Sequence, residues 1–232
     1  MPLSPQPGAR RSDLPTAAVT GRTYRLIPSR FPPISAFEDV ASADDLEAVM
    51  ELEGWTNDRL VAERLARLPR NQWVYGTPNA SIVMASFLHA ADLGMRFNSG
   101  QLGAWYAGKK IKTSIAEVAH HLRREALFRR RAELRLQYRT YVARLAGRYL
   151  DLRGLASERP EVYASDDYTA SQAFGEKVRA EGGAGIVYDS LRHRGGTNVV
   201  AYRPRNVLDV AVGSHFEVTA PVIGKVVART LS

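Results

Sequence analysis

The stretch from Arg96 to His121, RFNSGQLGAWYAGKKIKTSIAEVAHH, constrains this chain more than any other. Four signals follow one another there: an exposed arginine turn, a short apolar strand (Gly103 to Ala107), a basic loop, and a helix opening near Thr113. Glu117 falls in the first turn of that helix, eleven positions after Tyr106. Strand, loop and helix in succession bring an aromatic ring and a carboxylate to the same end of one unit. Such an end is where a concave ligand site forms most readily.

The flanking sequence places this unit in a single α+β domain. Residues 1–21 are rich in Pro, Gly, Ser and Ala, with little to bury, and read as a mobile tail. TYRLIP (Thr23 to Pro28) alternates as a first strand. A helix is expected after Ser42, through DDLEAVMELEG, and a second from Asn57 to the stop at Pro69. SIVMASFLHAA gives a third, buried helix, and the central helix extends from Ser114 to about Arg130. Leu134 to Leu145 alternates as a strand with one wet face, and RYLDLRG is a shorter strand beyond a turn at Gly147.

SERPEVYASDDY is loop, and YTASQAFGEKVRAEGGAG is a helix closed by paired glycines. GIVYDS and NVVAYRP are short apolar strands joined through RHRGGT, and the tail from Val207 holds one or two more strands. Helices and strands do not alternate regularly, which favours an α+β arrangement over a doubly wound sheet. No internal repeat interrupts residues 22–232, and residues 38–93 form a largely helical segment within them.

Several chemistries are excluded at once. The chain has no cysteine, so disulfides, thiolate zinc sites and cysteine nucleophiles are absent. Glu117 and His120 form a single E-x-x-H motif, short of the ligand sets that metal sites need, and no metal is expected. No Walker or Rossmann glycine loop occurs, nor a G-x-S-x-G elbow. The first fifteen residues lack a signal-peptide core, and no apolar run is long enough to span a bilayer. A soluble, cytoplasmic protein is expected, and its formal charge of +8 draws anionic partners.

Each candidate residue carries two readings. Ser114-x-x-Glu117 has the capping-box pattern, in which the carboxylate only bonds a helix-end N–H, yet the positive helix end also suits an ionised catalytic group. Thr169-x-x-Gln172 repeats the pattern. Arg25 lies in an apolar strand, either facing solvent or gripping a phosphate with its planar fork; Arg96, after the third helix, is open to the same two readings. The arginine-rich run 123–153, with Tyr138 and Tyr141 interleaved, is either a solvated face or the surface of a nucleic-acid-binding protein or nuclease.

Taken as a set, YRL with Arg25, RFN with Arg96, GAWYA…TSIAE with Tyr106 and Glu117, DDYTASQAFG, and GIVYDSLRHRGGTNVVAYRP with Ser190 resemble the RES domain. That family is the toxin half of RES–Xre toxin–antitoxin systems, and the likeness spans about residues 22–207. It implies an ADP-ribosyltransferase-like fold, a mixed or antiparallel β core flanked by helices. It also implies NAD as substrate and an Xre-family antitoxin as partner in a hetero-oligomer, without direct contact to nucleic acid. The family's functional arginine, tyrosine and glutamate fall on Arg25, Tyr106 and Glu117. A second arginine falls on Arg96, although the segment reads MRFN and lacks the family's paired glycines. A family serine falls on Thr169, which keeps only the hydroxyl, and another on Ser190. On this likeness Glu117 and Tyr106 are the catalytic pair, and Arg25, Arg96, Thr169 and Ser190 hold NAD.

Overall fold

A computed structural model describes residues 14–30, 37–46, 48 and 59–231. Its frame is one nine-stranded sheet in the order β1-β5-β6-β7-β3-β2-β4-β8-β9. The strands are β1 (Thr16–Ala18), β2 (Thr23–Pro28), β3 (Trp105–Gly108), β4 (Glu133–Leu145), β5 (Arg148–Asp151), β6 (Gly185–Asp189), β7 (Thr197–Ala201), β8 (Val207–Pro221) and β9 (Val227–Leu231). Only β5 and β6 run parallel; every other neighbouring pair is antiparallel. The mixed sheet with separate helices is the α+β class that the irregular element order implied.

Side chains alternate across this sheet and divide the core into two layers. In β7, Val199 and Ala201 pack toward α1 (Arg59–Ala66) and α2 (Ala80–Leu88), with Trp105, Tyr141 and Tyr149 beside them. Val200 faces the other way, into the cluster of Phe97, Tyr188 and Val178 under α4 (Thr169–Ala180). On that same side, α3 (Ile111–Phe128) lays Ala119 and Leu122 on Leu26, Tyr138 and Val218. No helix among the described residues is long and apolar enough to cross a membrane.

Two expectations change, and a third falls partly outside the described residues. The supposed N-terminal tail to residue 21 contains β1, which pairs with β5 and is gripped by Arg148 donating to Thr16 Oγ1 and Thr16 O at 2.9 Å each. The short run TAA carries no pattern of its own, and the sheet edge supplies the order. The helix expected after Ser42 is seen at residues 43–46 and 48, and its remainder lies outside the described residues, as do Asn57 and Asp58 before α1. Finally, α3 begins at Ile111, three residues before Ser114, with Lys110 as an extended N-cap that makes no side-chain cap bond.

The site is set by a split in the middle of the sheet. β2 pairs with β4 over six positions but meets β3 at one, Tyr24 opposite Gly108. Ser114 rivets that single pair: its hydroxyl donates to Tyr24 O at 2.7 Å and accepts from Gly108 N at 3.2 Å. A Cβ on Gly108 would lie 2.6 Å from the same oxygen, so the rivet requires glycine there. Beyond it the two strands part, and Arg25 enters the gap.

Candidate functional site

A cavity of about 390 Å³ opens at this split and is lined by Arg25, Arg96, Tyr106, Glu117, Tyr188 and Asn198, among others. Its size falls among ordinary small-molecule sites. Arg25 donates from one terminal nitrogen to Tyr106 O at 3.2 Å, and its guanidinium lies 5.1 Å from the centre of the buried Trp105 ring. Its Nε is buried and has no hydrogen-bond partner among the described residues. Burial lowers the guanidinium pKa to about 10, with the Tyr106 phenol opposing, so Arg25 stays charged at neutral pH. An unsatisfied buried donor costs about 1–3 kcal/mol, and such exceptions gather where a ligand completes the set.

Tyr106 shows its ring to the cavity while its hydroxyl is fully used. It donates to Asn98 Oδ1 at 2.8 Å and accepts from Phe97 N at 2.9 Å. Burial pushes this phenol well above its ordinary range, so it is neutral. The turn it holds carries Arg96, whose guanidinium donates to Ala164 O at 2.7 Å and Val162 O at 3.3 Å and lies 4.6 Å from the centre of the Tyr168 ring. Arg25, Arg96, Tyr106 and Tyr168 therefore border one hollow.

Glu117 is not a cap. With the helix starting at Ile111, it occupies the second turn, and Ser114, the supposed N-cap partner, serves the rivet instead. The Glu117 side chain points into the cavity, where Oε1 accepts from Ser190 Oγ and from Asn198 Nδ2, each at 2.6 Å. Ser190 in turn accepts from Arg192 N at 3.1 Å and His193 N at 3.0 Å, which folds the β6–β7 turn around its hydroxyl. Asn198 is absent from the residues singled out by motif; its signal was an amide inside the apolar run NVVA.

Thr169 lies elsewhere. It is exposed, opens α4, and sends its N–H to Asp167 Oδ1 at 2.8 Å. Its predecessor Tyr168 is the residue on the cavity wall. Gln172, the other half of the supposed cap pattern, donates from Nε2 to Leu93 O at 2.8 Å and Met95 O at 3.0 Å, bracing the turn that carries Arg96.

His120 also lines the cavity, one helical turn beyond Glu117. Burial first, then Arg192, His121 and Arg124, lowers its pKa from 6.5 to about 4, with Asp166 opposing. The folded protein thus binds this proton less readily than the unfolded chain. Its stabilising contribution is complete above pH 6.5 and is lost as the pH falls through about 4. Thermal melts between pH 7 and pH 4 should show a decline that is shallower in His120→Gln; parallel declines would remove His120 from the acid response.

Four arginines of the 123–153 run are held by partners within the fold. Arg123 donates to Pro221 O at 2.9 Å, Arg129 pairs with Glu125 at 2.6 Å, Arg153 with Asp151 at 2.6 Å, and Arg144 with Asp209. These partners lie on α3, β5 and β8.

The chain is thus an α+β domain whose split mixed sheet sets an anchored carboxylate and three arginines around one cavity. Residues 64–220 match the RES domain family, and the chain belongs to it. Arg25 lies before the matched span, whereas Arg96, Tyr106, Glu117, Tyr188, Ser190 and Asn198 fall inside it. An uncharacterized protein of Sinorhizobium fredii, y4oC, is 34% identical over 146 residues; the match covers 59% of this chain, which spans 59% of that relative's length. A chain from the crystal structure of the M. tuberculosis MbcT–MbcA toxin–antitoxin complex is similar with a TM-score of 0.41 and 17% identity. That likeness covers 54% of this chain and 72% of the other.

Proposed function

We propose that this chain is the NAD-consuming toxin of a toxin–antitoxin pair. The observation that carries this reading is the convergence of Arg25, Tyr106 and Glu117 on one cavity, with one oxygen of the carboxylate held by two donors. Membership of the RES domain family supports it. An Xre-type antitoxin that covers the cavity is the partner the reading implies.

In the proposed reaction the bond between the nicotinamide nitrogen and ribose C1′ breaks. Its electron pair leaves with the ring, which departs neutral, so no general acid is needed. Positive charge develops on C1′ and the ring oxygen, as in other glycosyl transfers. Glu117 supplies a fixed negative charge beside it. Tyr106 and Tyr188 flank the nicotinamide ring, and Arg25 with Arg96 hold the pyrophosphate. An acceptor oxygen (water, phosphate or a protein side chain) then bonds to C1′, and any proton it carries passes to solvent.

Incubating the purified chain with NAD and separating the products should yield free nicotinamide; intact NAD after prolonged incubation would overturn the reading. Arg25→Ala should weaken NAD binding by roughly 10- to 100-fold, the range of a hydrogen bond to a charged group. Titration calorimetry in a Glu117→Gln background measures this without turnover. Unchanged affinity would take Arg25 out of the pyrophosphate site.

A further inference from the structure

We infer that Asn198 is a positioning residue for the reaction, fixing the Glu117 carboxylate so that Oε2 faces the ribose. The inference rests on the reading of Glu117 as the catalytic carboxylate. Asn198 sits in β7, between Tyr188 of β6 and Gly108 of β3, and is 4% exposed. A primary amide in a central strand between apolar neighbours is costly unless bonded, and β-branched residues fit the position better. Its Nδ2 finds Glu117 Oε1 at 2.6 Å. The chemistry fixes the amide's orientation, because its carbonyl oxygen in that place would face another acceptor.

Ser190 alone does not fix the carboxylate. Its hydroxyl accepts two N–H groups, which turns its one proton toward Glu117. One such contact leaves the carboxylate free to rotate about it. A second donor from a different element, landing on the same Oε1, removes that rotation. Among the described residues no donor reaches Oε2. The result is a carboxylate with one oxygen tied to the sheet and the other left for the ligand.

Fixing a group through a partner affects the chemical step more than binding. Outer contacts of this kind are worth roughly 10- to 100-fold. Asn198→Leu, of similar volume but without the donor, should lower kcat for nicotinamide release by about that factor. KM should stay within about threefold, because binding rests with the arginines and rings. Asn198→Asp gives a readout that a merely structural role would not move. At neutral pH its carboxylate would face Glu117 and repel it; once protonated, it offers an O–H where the amide stood.

The kcat of Asn198→Asp should therefore recover as the pH falls from 8 to 5, while the parent protein shows no such gain. The inference is overturned if Asn198→Leu keeps the parent kcat, if its loss lies in KM alone, or if the Asn198→Asp profile runs parallel to the parent's. Should Asn198→Leu not fold, the Asn198→Asp profile decides. Nicotinamide release by Glu117→Gln at the parent rate would instead sink the functional reading itself, so the two failures are distinguishable.

Discussion

Glu117→Gln is expected to abolish NAD consumption while leaving the melting temperature within a few degrees of the parent. Glutamine keeps the shape of the side chain, and its amide oxygen can still accept from Ser190 Oγ and Asn198 Nδ2. What changes is the group facing the cavity: an N–H₂ donor replaces an anionic oxygen. Preorganised electrostatic groups of this kind are worth roughly 10²–10³-fold in kcat. Glu117→Ala is a poorer test, because it also strips the acceptor from two polar groups, at about 1–3 kcal/mol each if they stay unsatisfied. Following nicotinamide release by chromatography, with melts alongside, separates loss of charge from loss of fold. Wild-type turnover by Glu117→Gln would remove the carboxylate from the chemistry.

Local pattern made much of this arrangement legible. The alternation in TYRLIP and in Leu134 to Leu145 marked β2 and β4, which pair with each other. The paired glycines closed α4, where Gly183 N donates to Val178 O at 2.9 Å beyond Gly182 in the left-handed region. Misreadings came where a local pattern imitated a cap. Ser114-x-x-Glu117 has the right letters, but the chain turns into helix at Lys110, and the serine is bound to two strands, one of them 90 residues away in sequence. Thr169 carries the hydroxyl of the family pattern, while its neighbour Tyr168 is the residue that lines the cavity. No periodicity announces the split between β2 and β3, because the site depends on which strands fail to pair.

Gly175→Ala is expected to destabilise the protein by about 2–3 kcal/mol, lowering the melting temperature by roughly 5–10 °C. Helix propensity alone predicts the opposite sign, since alanine in a helix interior is favoured over glycine by about 1 kcal/mol. Packing decides the outcome. A Cβ at Gly175 would lie 2.1 Å from Phe97 O and 2.6 Å from the Tyr202 hydroxyl, which itself donates to Phe97 O at 2.9 Å. Gln172, Glu176 and Arg179 share this helix face and clasp the same segment. Gln172 binds Leu93 O and Met95 O, Glu176 accepts from Ser99 N at 2.7 Å, and Arg179 donates to Gly103 O at 2.9 Å. A methyl group at the centre of this clasp pushes α4 off the turn that carries Arg96 and anchors the Tyr106 hydroxyl. KM for NAD should therefore rise together with the loss of stability. A melting temperature equal to or above the parent's would show that the segment yields freely, and the account of α4 as a brace for the cavity would fail.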